Sequence, residues 1–263
     1  GQIHTSTDYG LTWTSRDTNR TWKQVVSSAD GKKLAAVVNS GQIYTSTDYG
    51  LTWTARDSTR LWSSIASSAD GVKLFATAIN GYIYTSTDSG ITWSTSTSAG
   101  SRNWHQITSS ADGTRIAAVA WSGYIYVSSD SGATWATSTS AGSRNWWGIT
   151  MDSTGQYMAA IQQYGGNIYY SNDYGSTWTA TTLSMPAGYA IKYSADGSVL
   201  LAAGGGDAGT GTIYRSIDHG LTWIQEESAR KWYGLTVSSD GKKSAAVVYG
   251  GKVYTYDVSS SAL

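Results

Sequence analysis

The chain has 263 residues and a mass of 28.0 kDa, which is long enough for one large domain or two small ones. Thirty Gly, one Pro, one Phe, 13 Trp and 19 Tyr describe a chain rich in turns and aromatics and poor in helix formers, so an all-β fold in a single domain over 1–263 is expected. Eighteen Lys and Arg balance eighteen Asp and Glu, which leaves no field to steer the molecule to nucleic acid or an anionic membrane.

The absence of Cys removes disulfides, thiolate chemistry and cysteine-based zinc sites together. No run of eighteen apolar residues is present, so no membrane insertion is expected. The chain starts at Gly1 with neither an initiator Met nor a signal-like stretch, which reads as a mature or trimmed product. Ser/Thr-rich tracts and the sequon Asn19-Arg20-Thr21 point towards an extracellular or secreted protein.

One string organises everything else. Ser-x-Asp-x-Gly-x-Thr-Trp occurs six times, with its Asp at Asp8, Asp48, Asp88, Asp130, Asp173 and Asp218. The spacings of 40 to 45 residues are those of one four-stranded propeller blade.

In chain order, the N-terminus supplies a strand at 3–6 and another at 11–14 on either side of the first string. A complete unit follows: a strand opening at Trp22, an Ala-rich apolar strand at 34–38, a Gly-x-Ile-Tyr-x-Ser strand at 41–46, and a short strand at 51–54. The pattern recurs four more times and ends in a unit at 232–256 that has three strands and no string. Between the first and second strands lies a second turn, Ser-Ala-Asp-Gly at Asp30, Asp70, Asp112 and Asp196 and Ser-Asp-Gly at Asp240. Only the fourth unit departs, with Thr154-Gly155. In both turns the carboxylate accepts backbone N–H bonds and the Gly supplies a positive φ.

The six strings resemble the Asp box of the bacterial-neuraminidase-repeat (BNR) β-propellers, and the resemblance covers essentially the whole chain. It implies structural roles for the six Asp. The family includes sialidases, xyloglucan-degrading glycosidases, sortilin-type receptors and a photosystem II assembly factor, so function does not follow from it. Strand counting gives a six-bladed propeller of four-stranded antiparallel blades, the ring closed by joining N- and C-terminal strands. Seven blades would need two half-built blades and an unfilled centre. One third-type strand is then surplus, at 3–6 or 253–256, free to lie on an edge or pair with a neighbour.

No catalytic residue is expected. Eleven of the sixteen Asp lie in the two turn types, leaving Asp17, Asp57, Asp152, Asp207 and Asp257 with Glu226 and Glu227. A glycosidase needs two carboxylates facing across a sugar. Asp17 and Asp57 follow Arg16 and Arg56 at equivalent places, which reads as a surface pair, and Asp207 lies in a Gly-rich insertion. The resemblance implies a Phe/Tyr-Arg-Ile-Pro motif for a sialidase, but the one Pro, Pro186, has no Arg beside it. His4, His105 and His219 have no metal-ligand spacing, so neither metal nor cofactor is expected.

What stands out beyond the fold motif is an Arg two residues before the Trp that opens each first strand. It appears as Arg20-Thr21-Trp22, Arg60-Leu61-Trp62, Arg102-Asn103-Trp104, Arg144-Asn145-Trp146 and Arg230-Lys231-Trp232, and the fifth unit has Pro186-Ala187-Gly188 instead. These sit on the face opposite the strings, joined by the second-to-third loops with Asn39, Asn80, Trp121, Tyr164 and Tyr249. Indoles to stack on sugars, with guanidinium groups and the amides of Asn103 and Asn145 to bond hydroxyls, describe a multivalent lectin for glycans, acidic sugars included. Two readings stand beside it: the Trp wedge between blades under an Arg cap, or the same face docks another polypeptide as a scaffold. A glycosidase survives where one of the remaining acids lines a cleft. The tracts 94–101 and 136–143 are expected to be solvated loops or O-glycan acceptors.

Overall fold

The repeated turn builds the molecule from the bottom up. In the computed structural model, which describes residues 1–8, 10–205, 209–227 and 229–257, each copy closes the same way. Ser46 Oγ donates to Asp48 Oδ1 at 2.7 Å, Thr52 N–H and Oγ1 donate to the two Asp48 oxygens at 2.9 and 2.6 Å, and Trp53 Nε1 donates to the Gly50 carbonyl at 3.1 Å. Two left-handed residues in succession, Tyr49 at φ 61° and Gly50 at 80°, reverse the chain, and the Asp carboxylate collects the donors this exposes. The second turn uses Ser28 Oγ and Lys32 N–H on Asp30 Oδ1 in the same manner.

Strand order follows from these hairpins. β1 (Ile3–Thr5) pairs with β2 (Thr14–Arg16). β3 (Trp22–Ser27), β4 (Leu34–Ser46), β5 (Thr54–Ser67), β6 (Leu74–Ala78), β7 (Ile83–Ser86) and β8 (Ser94–Ser96) form one six-stranded sheet. β4 passes through the second and third positions of a first blade, bending at Ser40 (φ 57°), and β5 links that blade's fourth position to the second blade's first. Three four-stranded sheets follow. They are β9 (Trp104–Ser109) to β12 (Ala136–Ser138), β13 (Trp146–Met151) to β16 (Thr179–Met185), and β17 (Gly188–Tyr193) to β20 (Ile224–Gln225). The last sheet has three strands, β21 (Trp232–Val237), β22 (Lys243–Val248) and β23 (Val253–Asp257).

The architecture is therefore an all-β propeller with five four-stranded blades, not the six, or seven, expected from strand counting. Among the described residues β2 pairs only with β1 and β23 only with β22, so the terminal strands do not close the ring. The reason is local. A third-type strand exists at both ends, and β2 takes the one that its own tight turn places beside it, at far lower loop-closure cost than a partner 240 residues away.

Blades pack face to face through the Ala-rich second strands. Ala76, Ala117, Ala118, Ala159 and Ala202 are fully buried because these strands are covered on both faces, and the larger Phe75, Ile116, Met158 and Leu200 of the same strands are buried with them. A relay of backbone bonds ties successive blades on the turn face: Ala29 N–H to Ala69 O (2.7 Å), Ala69 to Ala111 (2.7 Å), Ala111 to Ser153 (2.8 Å), Ser153 to Ala195 (2.8 Å) and Asp196 to Ser239 (3.0 Å). At the unclosed seam the pattern shows in relief: Val25 is 51% exposed, while its equivalents Ile65, Ile107, Ile149 and Ile191 are buried.

Candidate ligand-binding face

The Arg-x-Trp units are built into the blades. Trp62, Trp104, Trp146 and Trp232 are fully buried and Trp22 is half-buried, each edge-on to the Tyr of its own blade's third strand at 5.0–5.4 Å between ring centroids. Arg20, Arg60, Arg102, Arg144 and Arg230 lay their guanidinium groups over those Tyr rings at 4.2–4.7 Å. Arg102 and Arg144 further donate through Nε to the carbonyls of Ala99 and Ala141 at 2.8 and 2.7 Å. Arg20 meets Asp17 at 3.1 Å and Arg60 meets Asp57 at 3.6 Å, so these acids pair with the Arg of the Arg-x-Trp unit rather than with Arg16 or Arg56. Asn103 and Asn145 give their carbonyls to Trp121 and Gln163 N–H, and Asn145 Oδ1 accepts from Ser122 Oγ. In this arrangement no indole face of the four fully buried Trp is open to stack on a sugar.

The fifth blade shows what this packing does. Where Pro186-Ala187-Gly188 replaces Arg-x-Trp, no Trp or Arg stacks on Tyr214 among the described residues, and an open pocket lies beside Met185, Gly204, Gly211 and Tyr214. The tracts at 94–101 and 136–143 also differ from a solvated loop: Ala99 and Ala141 are buried, and Ser96 Oγ donates to the Gly132 carbonyl of the next blade at 2.6 Å.

A second set of aromatics, partly exposed, lies on the same face. In every first strand the register slips at the residue after the opening one, leaving Lys23, Ser63, His105, Trp147, Tyr189 and Tyr233 at a bulge. A bulge re-aims its side chain out of the ladder. From the third blade onward that side chain is a ring, and rings from the second-to-third loops join it. The row runs Tyr164 to Trp121 (5.6 Å), Trp121 to Trp147 (6.1 Å), Trp147 to Tyr189 (5.0 Å), Tyr189 to Tyr233 (5.0 Å) and Tyr233 to Tyr249 (5.6 Å). His105 sits in the angle between Trp121 and Trp147. Tyr164 and Tyr249 are 68% and 63% exposed, Trp121 and Trp147 are half-buried, and Tyr189 is buried beneath its neighbours. Burial brings the His105 pKa down from 6.5 to about 4 against a 2.7 Å bond from Nδ1 to the Trp147 carbonyl, and the charge of Lys23 adds to the effect. At neutral pH the ring is an uncharged member of the row.

Of the seven rings, Trp121, Tyr164 and Tyr249 were legible as loop residues on this face. The bulged ones were not, because their identity changes from blade to blade. The available signal was the break in alternation directly after each opening Trp.

Three of the remaining acids have structural partners. Asp152 is buried and anchors the fourth unit's turn, accepting from Thr154 Oγ1 at 2.6 Å and Tyr157 N–H at 3.0 Å. Glu226 is bonded to Arg215, and Asp257 lies 3.9 Å from Lys243. Glu226 and Glu227 both line a cavity between the fifth blade and the terminal sheet, so the condition set for a glycosidase is met by these two acids, and Asp207 lies outside the described residues. Among the described residues no cluster of three His, Asp or Glu could hold a metal ion.

The chain matches no protein-family model and no curated protein. Solved structures of the same fold include an ancestral GH74 enzyme (TM-score 0.72, 16% identity, covering 90% of this chain and 36% of that one). A GH74 xyloglucanase from Xanthomonas campestris is similar at TM-score 0.72 and 15% identity, over 90% of this chain and 45% of that one. The β-propeller domain of Cps50 (Swd1) from Myceliophthora thermophila is similar at TM-score 0.72 and 11% identity, over 94% and 85%. The chain thus spans less than half the length of the GH74 enzymes. At these identities the likeness is one of fold.

Proposed function

We propose that this propeller is a non-enzymatic glycan-binding protein whose contact surface is the aromatic row rather than the Arg-x-Trp units. One observation carries the reading: six rings from three successive sheets and a loop of the sheet before them stand in a continuous line with His105 in its angle, and four of the seven are placed by a bulge in a first strand. An extended polysaccharide presents a C–H face on successive sugars, and the exposed rings of the row, whose planes turn by 38–83° from one neighbour to the next, offer platforms for some of them. The arginine side chains are held over Tyr rings, which favours neutral over acidic sugars. A polysaccharide or glycan-bearing surface outside the cell is the setting this fits. The likeness to a GH74 xyloglucanase and the resemblance to the Asp-box family lean the same way, and a binding rather than hydrolytic role is favoured because Asp152 is buried in a turn and Glu226 is held by Arg215, which leaves Glu227 as the one carboxylate of that cavity without such a partner among the described residues.

The test is a glycan array covering neutral and acidic polysaccharides, followed by calorimetric titration of wild type, Trp121→Ala and Tyr164→Ala. Each variant is expected to weaken binding about tenfold or more while leaving the unfolding midpoint nearly unchanged. Binding that both variants leave intact, or a folded protein that binds nothing on the array, would overturn the assignment.

A further inference from the structure

The first strands of successive blades run side by side around one axis: β3 lies against β5, and β5, β9, β13, β17 and β21 neighbour one another in turn. Each is the inner edge of its blade, so alternate N–H groups face away from the ladder and need another acceptor. The preceding blade supplies it from a side chain. Gln24 Oε1 accepts from Ile65 N–H at 3.3 Å, Ser64 Oγ from Ile107 N–H at 3.2 Å, and Gln106 Oε1 from Ile149 N–H at 2.8 Å. The fourth blade has Gly148 at that place and uses the residue two further along, Thr150, whose Oγ1 accepts from Tyr193 N–H at 3.0 Å.

The fifth blade ends the series. Ala190 faces Ala203 as Gln106 faces Val119, and Lys192 faces Leu201 as Thr150 faces Ala159, so Ala190 and Lys192 occupy the two acceptor places. Ala190 has no acceptor, and a lysine ammonium is a further donor. On β21, Leu235 and Val237 stand where Ile149 and Tyr193 stand in their blades, Leu235 opposite Ala246 as Ile149 is opposite Ala160. Among the described residues no side chain accepts from either N–H. Lys192 is exposed and forms no ion pair, and burial by the surrounding protein lowers its pKa from 10.5 with no carboxylate acting on it. The first-strand residues 22–27, 62–67, 104–109, 146–151, 188–193 and 232–237 include no Asp or Glu, and their cations are Lys23, whose charge reaches His105, and Lys192.

The geometry points to an anion site on the axis between β17 and β21, where a small oxyanion of the sulfate or phosphate kind accepts from Leu235 N–H, Val237 N–H and the Lys192 ammonium in place of the missing side-chain oxygens. Thr150 gives the direction: its place on β13 aims a side chain at the Tyr193 N–H of the next blade, and Lys192, at the same place on β17, is aimed at that of Val237. Size selects the ion. N–H groups two residues apart on a strand stand about 7 Å from each other. Two oxygens of one tetrahedral ion reach both at hydrogen-bond lengths of about 2.9 Å, and a halide at its midpoint falls short of each. An ammonium walled in by protein without an opposite charge is costly, and a bound anion supplies that charge. The ion then joins the fifth blade to the terminal sheet as Gln24 joins the first blade to the second.

The test follows the amide signals of isotope-labelled protein by nuclear magnetic resonance during titration with sodium sulfate and, separately, sodium phosphate, the ionic strength being held with sodium chloride. Leu235 and Val237 are expected to shift together and saturate with a single dissociation constant, and either oxyanion doing so supports the site. Lys192→Thr puts the residue of Thr108 and Thr150 at this place, so it should keep wild-type circular dichroism while weakening the ion by about tenfold or more. Ala190→Gln restores the acceptor of Gln106 and should exclude the ion from a chain that retains Lys192. A crystal soaked in selenate should show its anomalous peak beside Lys192. Shifts that do not saturate, that saturate equally in Lys192→Thr, or that sodium chloride alone produces would overturn the inference.

Discussion

His105 rests on Trp147 with ring centroids 3.9 Å apart, while its Nδ1 lies 2.7 Å from the Trp147 carbonyl. The pair joins third and fourth blades at the centre of the aromatic row and makes that region acid-sensitive. The unfolded chain takes up the His105 proton near pH 6.5 and the folded chain only near 4. Folding stability is therefore complete above about 6.5 and declines as the pH falls towards 4, by up to about 3 kcal/mol. Urea titrations across that interval should show the decline, and His105→Phe should remove most of it. Glycan binding should weaken over the same interval, since a charged imidazolium disturbs the stack.

Trp104, Tyr126 and Arg102 give a different prediction from the lectin role first suggested by their repetition. Trp104→Ala removes a fully buried indole and should cost about 3–5 kcal/mol. Arg102→Ala loses a guanidinium–ring contact and the bond to the Ala99 carbonyl, and should cost about 1–2 kcal/mol. Denaturant midpoints measure both. Under conditions where each variant is folded, affinity for glycan should stay within about twofold of wild type.

The repeated turns predict acid unfolding at lower pH than His105 does. Asp48 and Asp88 are held near pKa 2, first by the hydroxyls of Thr52 and Thr92, then by the N–H groups of the same residues. Because the folded pKa lies below the ordinary aspartate value of 3.8, these turns contribute fully above about pH 4 and lose their contribution as the pH falls through about 2. Asp88→Asn should flatten the acid limb of the stability curve by about the share of one among the eleven turn carboxylates held low, a change readable by circular dichroism at stepped pH.

How much of this was legible depends on what repeats. The turns were, because Asp48, Gly50 and Thr52 must be those residue types for the hydrogen bonds to close. The blade length was legible too, since the recurring string measures it. Ring closure was not: two third-type strands, at Ile3 and Val253, are equivalent in sequence, and only the short loop between β1 and β2 decides which one β2 takes. The Arg-x-Trp units read equally well as surface or interior, because buried and ligand-binding positions both recur. Conversely, His105, Trp147, Tyr189 and Tyr233 share a place and not an identity, so no repeat marked them.

The row makes a final prediction about ligand length. A short oligosaccharide seated on Tyr164 and Trp121 should feel Trp121→Ala but not Tyr233→Ala, because Tyr233 stands three rings further along the line. A longer chain that covers both should feel each, and the double variant should lose about the product of the two single losses, since the rings do not touch one another's sugars. Affinity should rise with chain length until the row is filled and then level off. Calorimetric titration of a graded oligosaccharide series against the two single variants and the double variant measures this. Equal sensitivity to Tyr233→Ala at every ligand length would mean that the ligand does not lie along the row, and that the rings serve only to pack the blades together.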